Sequence, residues 1–412
     1  MVAAVAINLN FNFHDTIMKS LSTKKTHAIG AALFAAAMAL PYSNAAFAES
    51  VPERGIISFK YLNYQENQAI YEDRMGVNAY TVSAMVPIAG KWSISTSYTY
   101  DSVTGASPEY HSYIKDDMLS GASPIREKRY AGDLSVTRYF PKGSVTGGVS
   151  YSEENDYISR GYSLQGSLLT EDKNTTFTLG GSYTTDTINP NNAEFEGITK
   201  AKRSVGGMVG VTQVLTKTDI VQLNLGYSKG WGYFNDPYKS YENRPDWRES
   251  KTVMTRWNHH FAAIDGTSHL SYRFYTDSFG VRAHTFGLEY LQSLPHEWTV
   301  TPSVRYYSQT AADFYVPVDP ASPNSVPPAA DALYDFGTSS WLGYVSLDQR
   351  LSSFGALTFG IKVSKRIAKD WLVDFKYENY KQRADWSMTG GGDAGLKPFN
   401  TSFFQFGISR EI

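Results

Sequence analysis

Residues 252–308 read TVMTRWNHHFAAIDGTSHLSYRFYTDSFGVRAHTFGLEYLQSLPHEWTVTPSVRYYS, four runs of alternating apolar and polar residues joined by three short turns. A period of two marks extended strands whose two faces meet different surroundings. One face carries Trp257, Phe261, Leu270, Tyr272, Phe274, Phe286, Leu288, Tyr290, Trp298, Val300, Val304 and Tyr306. The other carries Asn258, Ser271, Arg273, Thr285, Gly287, Glu289, Thr299, Thr301, Ser303 and Arg305. In a soluble sandwich the apolar face would be the core. In an outer-membrane barrel it meets lipid, and the polar face lines a wet lumen. The turns also predict a register. A two-residue turn at Asp265-Gly266, a pair that favours tight hairpins, sets Trp257 opposite Phe274 and Asn258 opposite Arg273. A three-residue loop centred on Gly280 sets Phe274 opposite Phe286.

The remaining 355 residues decide between the two readings. The chain holds 412 residues with a formal charge of −2, so it lacks the basic footprint of a nucleic-acid binder. It has no cysteine, which excludes disulfides, thiolate metal sites, a thiol nucleophile and a lipidated N-terminal cysteine. No run of 18 apolar residues is present, so membrane-spanning helices are not expected. Barrels escape that test because only every second residue faces lipid. The N-terminal part supplies a compartment. Lys19, Lys24 and Lys25 precede an apolar stretch, 29–40, and then Ala46-Phe47-Ala48. That is the order of a secretory signal, with cleavage expected after Ala48 and export through the Sec pathway. Residues 1–17 read as a mis-called start before Met18, residues 18–48 as the signal, and 49–412 as the mature domain.

Alternating runs then recur to the end of the chain. They occupy 55–64, 79–88, 92–100, 134–140, 145–151, 162–168, 177–183, 205–211 and 221–227, then the opening stretch, then 357–363, 371–377 and 401–412. Counting gives about 16 strands. Short turns alternate with long connections at 102–128, 186–203, 230–251 and 311–352, all of which fall at one end. An even strand count with long loops at one end is the pattern of an all-β, transmembrane, antiparallel up-and-down barrel. In the last run Phe404, Phe406, Ile408 and Ile412 share a face, as a signal to barrel-assembly machinery does. The expected location is the bacterial outer membrane, with lipid as the surrounding partner.

The inward positions offer Lys60, Asp133, Asn258, Arg273, Glu289, Arg305, Lys362, Asp374, Lys376 and Glu378. Mixed charges on a wet wall either filter polar solutes through a transverse field or form a solvated face with cross-strand salt bridges. Trp92, Trp257, Tyr272, Phe274, Tyr290, Trp298, Tyr306, Trp371, Phe404 and Phe406 are expected on the lipid side, several of them in aromatic belts. The Pro-rich connection 311–352 is expected at the surface. Folded inward, it would present Asp313, Asp319, Asp331 and Asp335 as an acidic constriction. His259 and His260 point to opposite faces and cannot chelate one ion. His259 is expected at the lipid–water belt beside Tyr272. His111 with Asp116 and Asp117 lacks a partner nucleophile, and Gly390-Gly391-Gly392 follows no strand-to-helix turn, so neither supports catalysis or phosphate binding. No cofactor, metal site or enzyme activity is expected.

Eight phrases carry a family resemblance: VSAMVPIAGKWSIS (82–95), VTRYFPKGSVTGGVSYSEENDY (136–157), GVTQVL (210–215), NDPYK (235–239), RWNHHF (256–261), SYRFYTDSFGVRAHTFGLEY (271–290), TPSVRYYSQTAADFY (301–315) and DQRLSSFGALTFGIKV (348–363). They resemble the bacterial domain-of-unknown-function family numbered 3570, across nearly the whole mature chain. The resemblance implies an outer-membrane barrel of unknown activity and supplies no catalytic residues. It also implies redox- or metal-linked envelope work, since family members lie near genes for a flavin-attaching enzyme and a small lipoprotein. The functional expectation is a channel or transport-related pore for small polar solutes. The alternative is a non-conducting scaffold that holds a periplasmic or surface partner, for which a redox protein is one candidate.

Overall fold

The computed structural model describes residues 51–68, 71–106, 112–114, 118–120, 124–190, 197–237, 239, 241–319, 321 and 326–412. The expected signal, Ala48, the Met18 start, His111, Asp116 and Asp117 lie outside these residues. Sixteen antiparallel strands pair with their neighbours and close into one barrel. They are β1 (Ile56–Gln68), β2 (Tyr71–Ile88), β3 (Trp92–Ala106), β4 (Pro124–Phe140), β5 (Gly143–Glu153), β6 (Tyr157–Leu169), β7 (Thr175–Ile188) and β8 (Lys200–Val214). They continue as β9 (Asp219–Gly232), β10 (Trp247–Phe261), β11 (Gly266–Asp277), β12 (Arg282–Leu294), β13 (Trp298–Gln309), β14 (Phe354–Ala368), β15 (Trp371–Arg383) and β16 (Phe399–Glu411). Closure runs from Ile56 opposite Glu411 to Gln68 opposite Phe399. Gly55 and Ile412 exchange backbone hydrogen bonds of 3.0 and 2.9 Å at the seam.

All the long connections leave one rim, here the outer one, which also carries the short β5–β6 and β11–β12 turns; the β2–β3, β4–β5, β6–β7, β8–β9, β10–β11, β12–β13 and β14–β15 turns and the β1/β16 ends lie at the other. Several strands run further toward the outer rim than alternation indicates. The connection expected over 102–128 shrinks to 107–123, and that over 230–251 to 233–246. The reason is physical: the apolar/polar alternation is imposed by lipid, whereas a backbone ladder can continue beyond it.

Two registers differ from expectation. Trp257 faces Leu270, not Phe274, and Asn258 faces His269, not Arg273. The turn holds four residues, 262–265, with Ile264 N–H donating to Phe261 O at 3.1 Å. Asp265 supplies the left-handed residue at φ 48°, which aspartate tolerates. Gly266 already pairs with Phe261. It is glycine because a Cβ there would strike the Tyr290 hydroxyl. At the next turn Phe274 faces His284, and Phe286 faces Tyr272. The loop does have three residues, but it centres on Phe279, with Gly280 at φ 87°. Both shifts are even, so the faces stay unmixed.

The outward face is a continuous apolar band. Leu164, Leu179, Val209, Leu225, Leu270, Leu288, Phe359 and Phe375 all project from it, Leu179 being 65% exposed in the isolated chain. A band around the whole barrel far exceeds the apolar patch of a soluble monomer. At the inner rim, cations stack on outward tryptophans: Arg138 lies 4.6 Å from the Trp92 ring centre, Lys365 4.6 Å from Trp298 and Arg410 5.3 Å from Trp371. Toward the other rim Tyr61, Tyr80, Tyr100 and Tyr130 form a ladder with ring centres 5.2, 6.4 and 5.3 Å apart. Trp257, Tyr272, Phe274, Tyr290, Tyr306, Phe404 and Phe406 share the outward side by register. A closed barrel with an apolar exterior between two aromatic belts is the architecture of an outer-membrane protein.

Candidate functional site

The inward positions divide the lumen into two unlike walls. Strands eight apart lie across from each other in a closed ring of sixteen, so β5–β9 oppose β13–β16 and β1. Along β5 the inward residues are Ser144, Thr146, Gly148, Ser150 and Ser152. Along β7 they include Thr176, Thr178, Gly180, Ser182 and Thr184, and along β9 Gln222, Asn224, Gly226, Ser228 and Gly230. An ion pair on this wall joins Lys202 and Asp186 at 3.0 Å, near the outer rim. The opposite wall holds Arg305, Lys362, Asp374, Lys376, Glu378 and Lys60.

Every inward candidate can be placed. Arg305 Nη2 donates to Thr358 Oγ1 at 3.0 Å. Lys362 Nζ lies 4.0 Å from Asp374, and Lys376 pairs with Glu378. Lys60 faces Thr81 and Gly407. Arg273 sits 5.8 Å from the Tyr275 ring centre. Asn258 Oδ1 meets His269 Nδ1 at 2.8 Å, and Glu289 is the cross-strand neighbour of that histidine. Asp133, on β4, accepts from Ser97 Oγ. Lys60, Lys362, Asp374, Lys376, Glu378 and Arg305 are thus gathered on one wall, whereas Asp133 stands apart from them. His259 is outward, but it packs on Phe261 at 4.5 Å and meets Asp219 at 2.7 Å rather than lying beside Tyr272. Its partner in the sequence, His260, turns to Thr267 on the other face. Among the described residues no group of three His, Asp or Glu side chains could hold a metal ion.

Both ends of the connection 311–352 fold into the outer mouth, contrary to the surface course expected for it, while its middle, with Phe336 and Leu342, is exposed. Ala312 N–H donates to Leu351 O at 2.8 Å, and Asp313 N–H to Phe279 O at 2.8 Å. Gln309, inward at the end of β13, donates to Arg350 O at 2.9 Å and Ser352 O at 2.6 Å. Phe234, Phe279, Ala312, Leu351 and Leu396 from four loops join Leu62, Tyr64, Val77, Tyr307 and Phe354 of the barrel wall in one apolar cluster. That cluster explains the inward fold: apolar side chains of β1, β2, β13 and β14 face the lumen near the outer rim, and the loops bury them. The hairpin turn centred on Phe279 belongs here too, its ring packed against Phe234 at 6.1 Å and Phe314 at 5.0 Å.

An ion network ties the plug together. Asp348 binds Arg350 (Nε–Oδ1 2.7 Å), Arg244 (2.7 Å) and Lys239 (3.0 Å). Arg350 reaches Asp236 at 3.2 Å, Arg244 pairs with Glu242, and Glu242 accepts from Ser346 Oγ at 2.5 Å. Residues 242–243 and 345–346 form a small ladder beside it. Burial alone would raise the Asp348 carboxyl, but the charges of Arg350, Lys239 and Arg244 override it and hold it well below the usual carboxylate range. The aspartates that would line a constriction do something else: Asp319 and Asp335 make exposed, local hydrogen bonds, and Asp331 accepts one at the surface from Tyr241. Nothing in the sequence marked Asp348, because two of its partners, Arg244 and Lys239, lie about a hundred residues away. A second buried pair, Asp101 with Arg129 at 2.5 Å, sits where β3 and β4 approach the outer rim. Beside it, in the β5–β6 turn, burial pushes the Glu154 carboxyl up to about 8, with Arg129 opposing and Glu127, Asp101 and Asp156 adding to the rise.

Solved structures similar to this one include the siderophore receptor PirA from Pseudomonas aeruginosa, at 12% identity and a TM-score of 0.41, covering 81% of this chain. This chain spans 57% of PirA's length. The CymD monoaromatic hydrocarbon channel matches at 9% identity and a TM-score of 0.44, over 87% of this chain and 89% of that one. A bacterial polysaccharide outer membrane secretin matches at 7% identity and a TM-score of 0.49, over 87% and 98%. No curated protein matches in sequence. The family model described as protein of unknown function DUF3570 matches residues 30–403, and the chain belongs to that family.

Proposed function

We propose that the protein is a transport barrel for small polar solutes whose resting state is shut at the outer mouth by its own loops. The observation that carries this reading is the polar lumen, with a charged wall facing a wall of hydroxyls and glycines. Glycine, serine and threonine leave room for a solute and present only hydrogen-bonding groups, and the facing charges orient it. A barrel of sixteen strands is wide enough for an aqueous path. The buried plug makes passage a gated event, since the apolar cluster and the Asp348 network must part first. The sealed mouth also favours a second reading, a scaffold that does not conduct and holds a partner from the periplasmic side.

Single-channel recording in planar bilayers separates the two. The native protein is expected to give rare, brief openings. The protein with residues 316–346 replaced by a short Gly-Ser linker is expected to give sustained ones. If the linker variant, folded, stays silent at every voltage, the lumen does not conduct and the scaffold reading takes its place.

A further inference from the structure

The outward face near the outer rim carries a basic row on strands β8 to β12. Arg203 faces Trp231, and Trp231 faces Trp247. Lys229 faces Val205 and Glu249, and its Nζ lies 5.7 and 5.6 Å from the two tryptophan ring centres. Lys251 and Arg282 face Thr276 from either side of it. Arg203, Lys251 and Arg282 are exposed and Lys229 is half-buried, so the row is open to the surrounding membrane. Among the described residues, Glu249 is the acid on the outward side in the outer halves of these strands, and it lies 3.6 Å from Lys251. Further from the rim the same faces are apolar, with Val209, Leu225, Val253 and Phe286 exposed. Trp231 and Trp247, exposed as well, mark the depth of the lipid headgroups, where tryptophan rings collect. Cations gathered at that depth attract anionic lipid. Against neutral lipid alone, like charges on neighbouring strands would repel with nothing to offset them.

We propose that Arg203, Lys229, Lys251 and Arg282, with Trp231 and Trp247, form a binding site for a doubly phosphorylated glycolipid of the outer leaflet, of the lipid A kind. Neighbouring strands lie about 4.8 Å apart, so the row from Arg203 on β8 to Arg282 on β12 covers roughly 19 Å, more than one phosphate can bridge. Two phosphates on one headgroup match it. Arg203 and Lys229 hold the first and Lys251 and Arg282 the second, through charge-assisted hydrogen bonds. The two tryptophans offer flat faces to the sugar, and the acyl chains run down over Leu225 and Val253. The inner rim has no such row: Arg138, Lys365 and Arg410 stand there on β4, β14 and β16, each over its own tryptophan. The site lies outside the barrel, so it goes beyond the transport reading and holds whether or not the lumen conducts.

The test is native mass spectrometry of the folded, full-length barrel in detergent, titrated with bisphosphorylated lipid A, its monophosphorylated form, phosphatidylglycerol and cardiolipin. Bisphosphorylated lipid A is expected to bind one to a barrel, at least 10-fold more tightly than each of the other three. The double variant Lys251→Gln, Arg282→Gln, checked for folding by its heat-modifiable gel mobility, is expected to weaken that binding about 10-fold, as the loss of two cations at the membrane surface requires. The double variant Lys365→Gln, Arg410→Gln removes the same charge from the inner rim and is expected to leave it unchanged. Phosphatidylglycerol, cardiolipin or monophosphorylated lipid A binding the native protein as tightly as the bisphosphorylated form overturns the proposal, and needs no variant. So does a folded outer-rim variant with undiminished affinity, or an equal loss in the inner-rim variant.

Discussion

Asp348→Asn is expected to turn the rarely opening barrel into one that is open most of the time. The carboxylate is fully buried and bonded to Arg350, Arg244 and Lys239. Neutralising it leaves three buried cations balanced by Asp236 and Glu242. Removing one member of a buried ion network costs roughly 3–5 kcal/mol, because the remaining charges stay desolvated. If that cost falls on the closed state alone, the closed-to-open ratio shifts by a factor of roughly 10² to 4 × 10³ at 1.4 kcal/mol per tenfold. The paired control is Asp331→Asn. Asp331 accepts a 2.8 Å hydrogen bond from the Tyr241 hydroxyl at the surface, and exposed contacts of that kind contribute about 0–1 kcal/mol. Open probability is the readout. An Asp348→Asn barrel as quiet as the native one would remove the network from the gate.

The second large effect concerns the outside of the barrel. Leu179→Arg is expected to destabilise the barrel in bilayers by about 2–4 kcal/mol, the cost of a cationic side chain at mid-depth on a lipid-facing strand. Ser182→Arg, three residues along on the inward face, is expected to cost little. Its cross-strand neighbours Ser163 and Gly206 leave room, and water reaches the lumen. Reversible denaturant unfolding in vesicles measures both. The order of the two values matters more than their size. Were the outward band a polar-solvent surface, arginine at 179 would be close to neutral, and the contrast with 182 would vanish.

The same difference between faces explains how much was legible beforehand. Lipid on one side and water on the other write a period of two into every spanning segment, so strand number, facing and rim assignment could be read from runs such as Trp371-Val373-Phe375-Tyr377. The register around Asp265-Gly266 could not. Its glycine answers to the Tyr290 hydroxyl from the neighbouring strand, a constraint invisible to any local turn rule. The strand extensions toward the outer rim were missed because the lipid signal ends before the ladder does. The plug was missed for a different reason. Pro-rich composition argues for a surface loop, but the apolar lumen residues Leu62, Val77 and Phe354 demand a cover, and that demand appears only once the barrel is closed. Of the charged wall, the members were readable by parity. The juxtaposition of Lys362 with Lys376 was not, because it depends on the β14–β15 pairing.

The central claim is that the apolar face meets hydrocarbon and the polar face encloses water. The chain has no cysteine, so single cysteines can be placed without background. Bimane attached to Leu179→Cys and to Ser182→Cys, in folded protein reconstituted into vesicles, gives the most direct test by quenching. The probe at 179 should be quenched by brominated lipid and shielded from iodide, and the probe at 182 should show the reverse. Iodide quenching at 179 without quenching by brominated lipid would contradict the account.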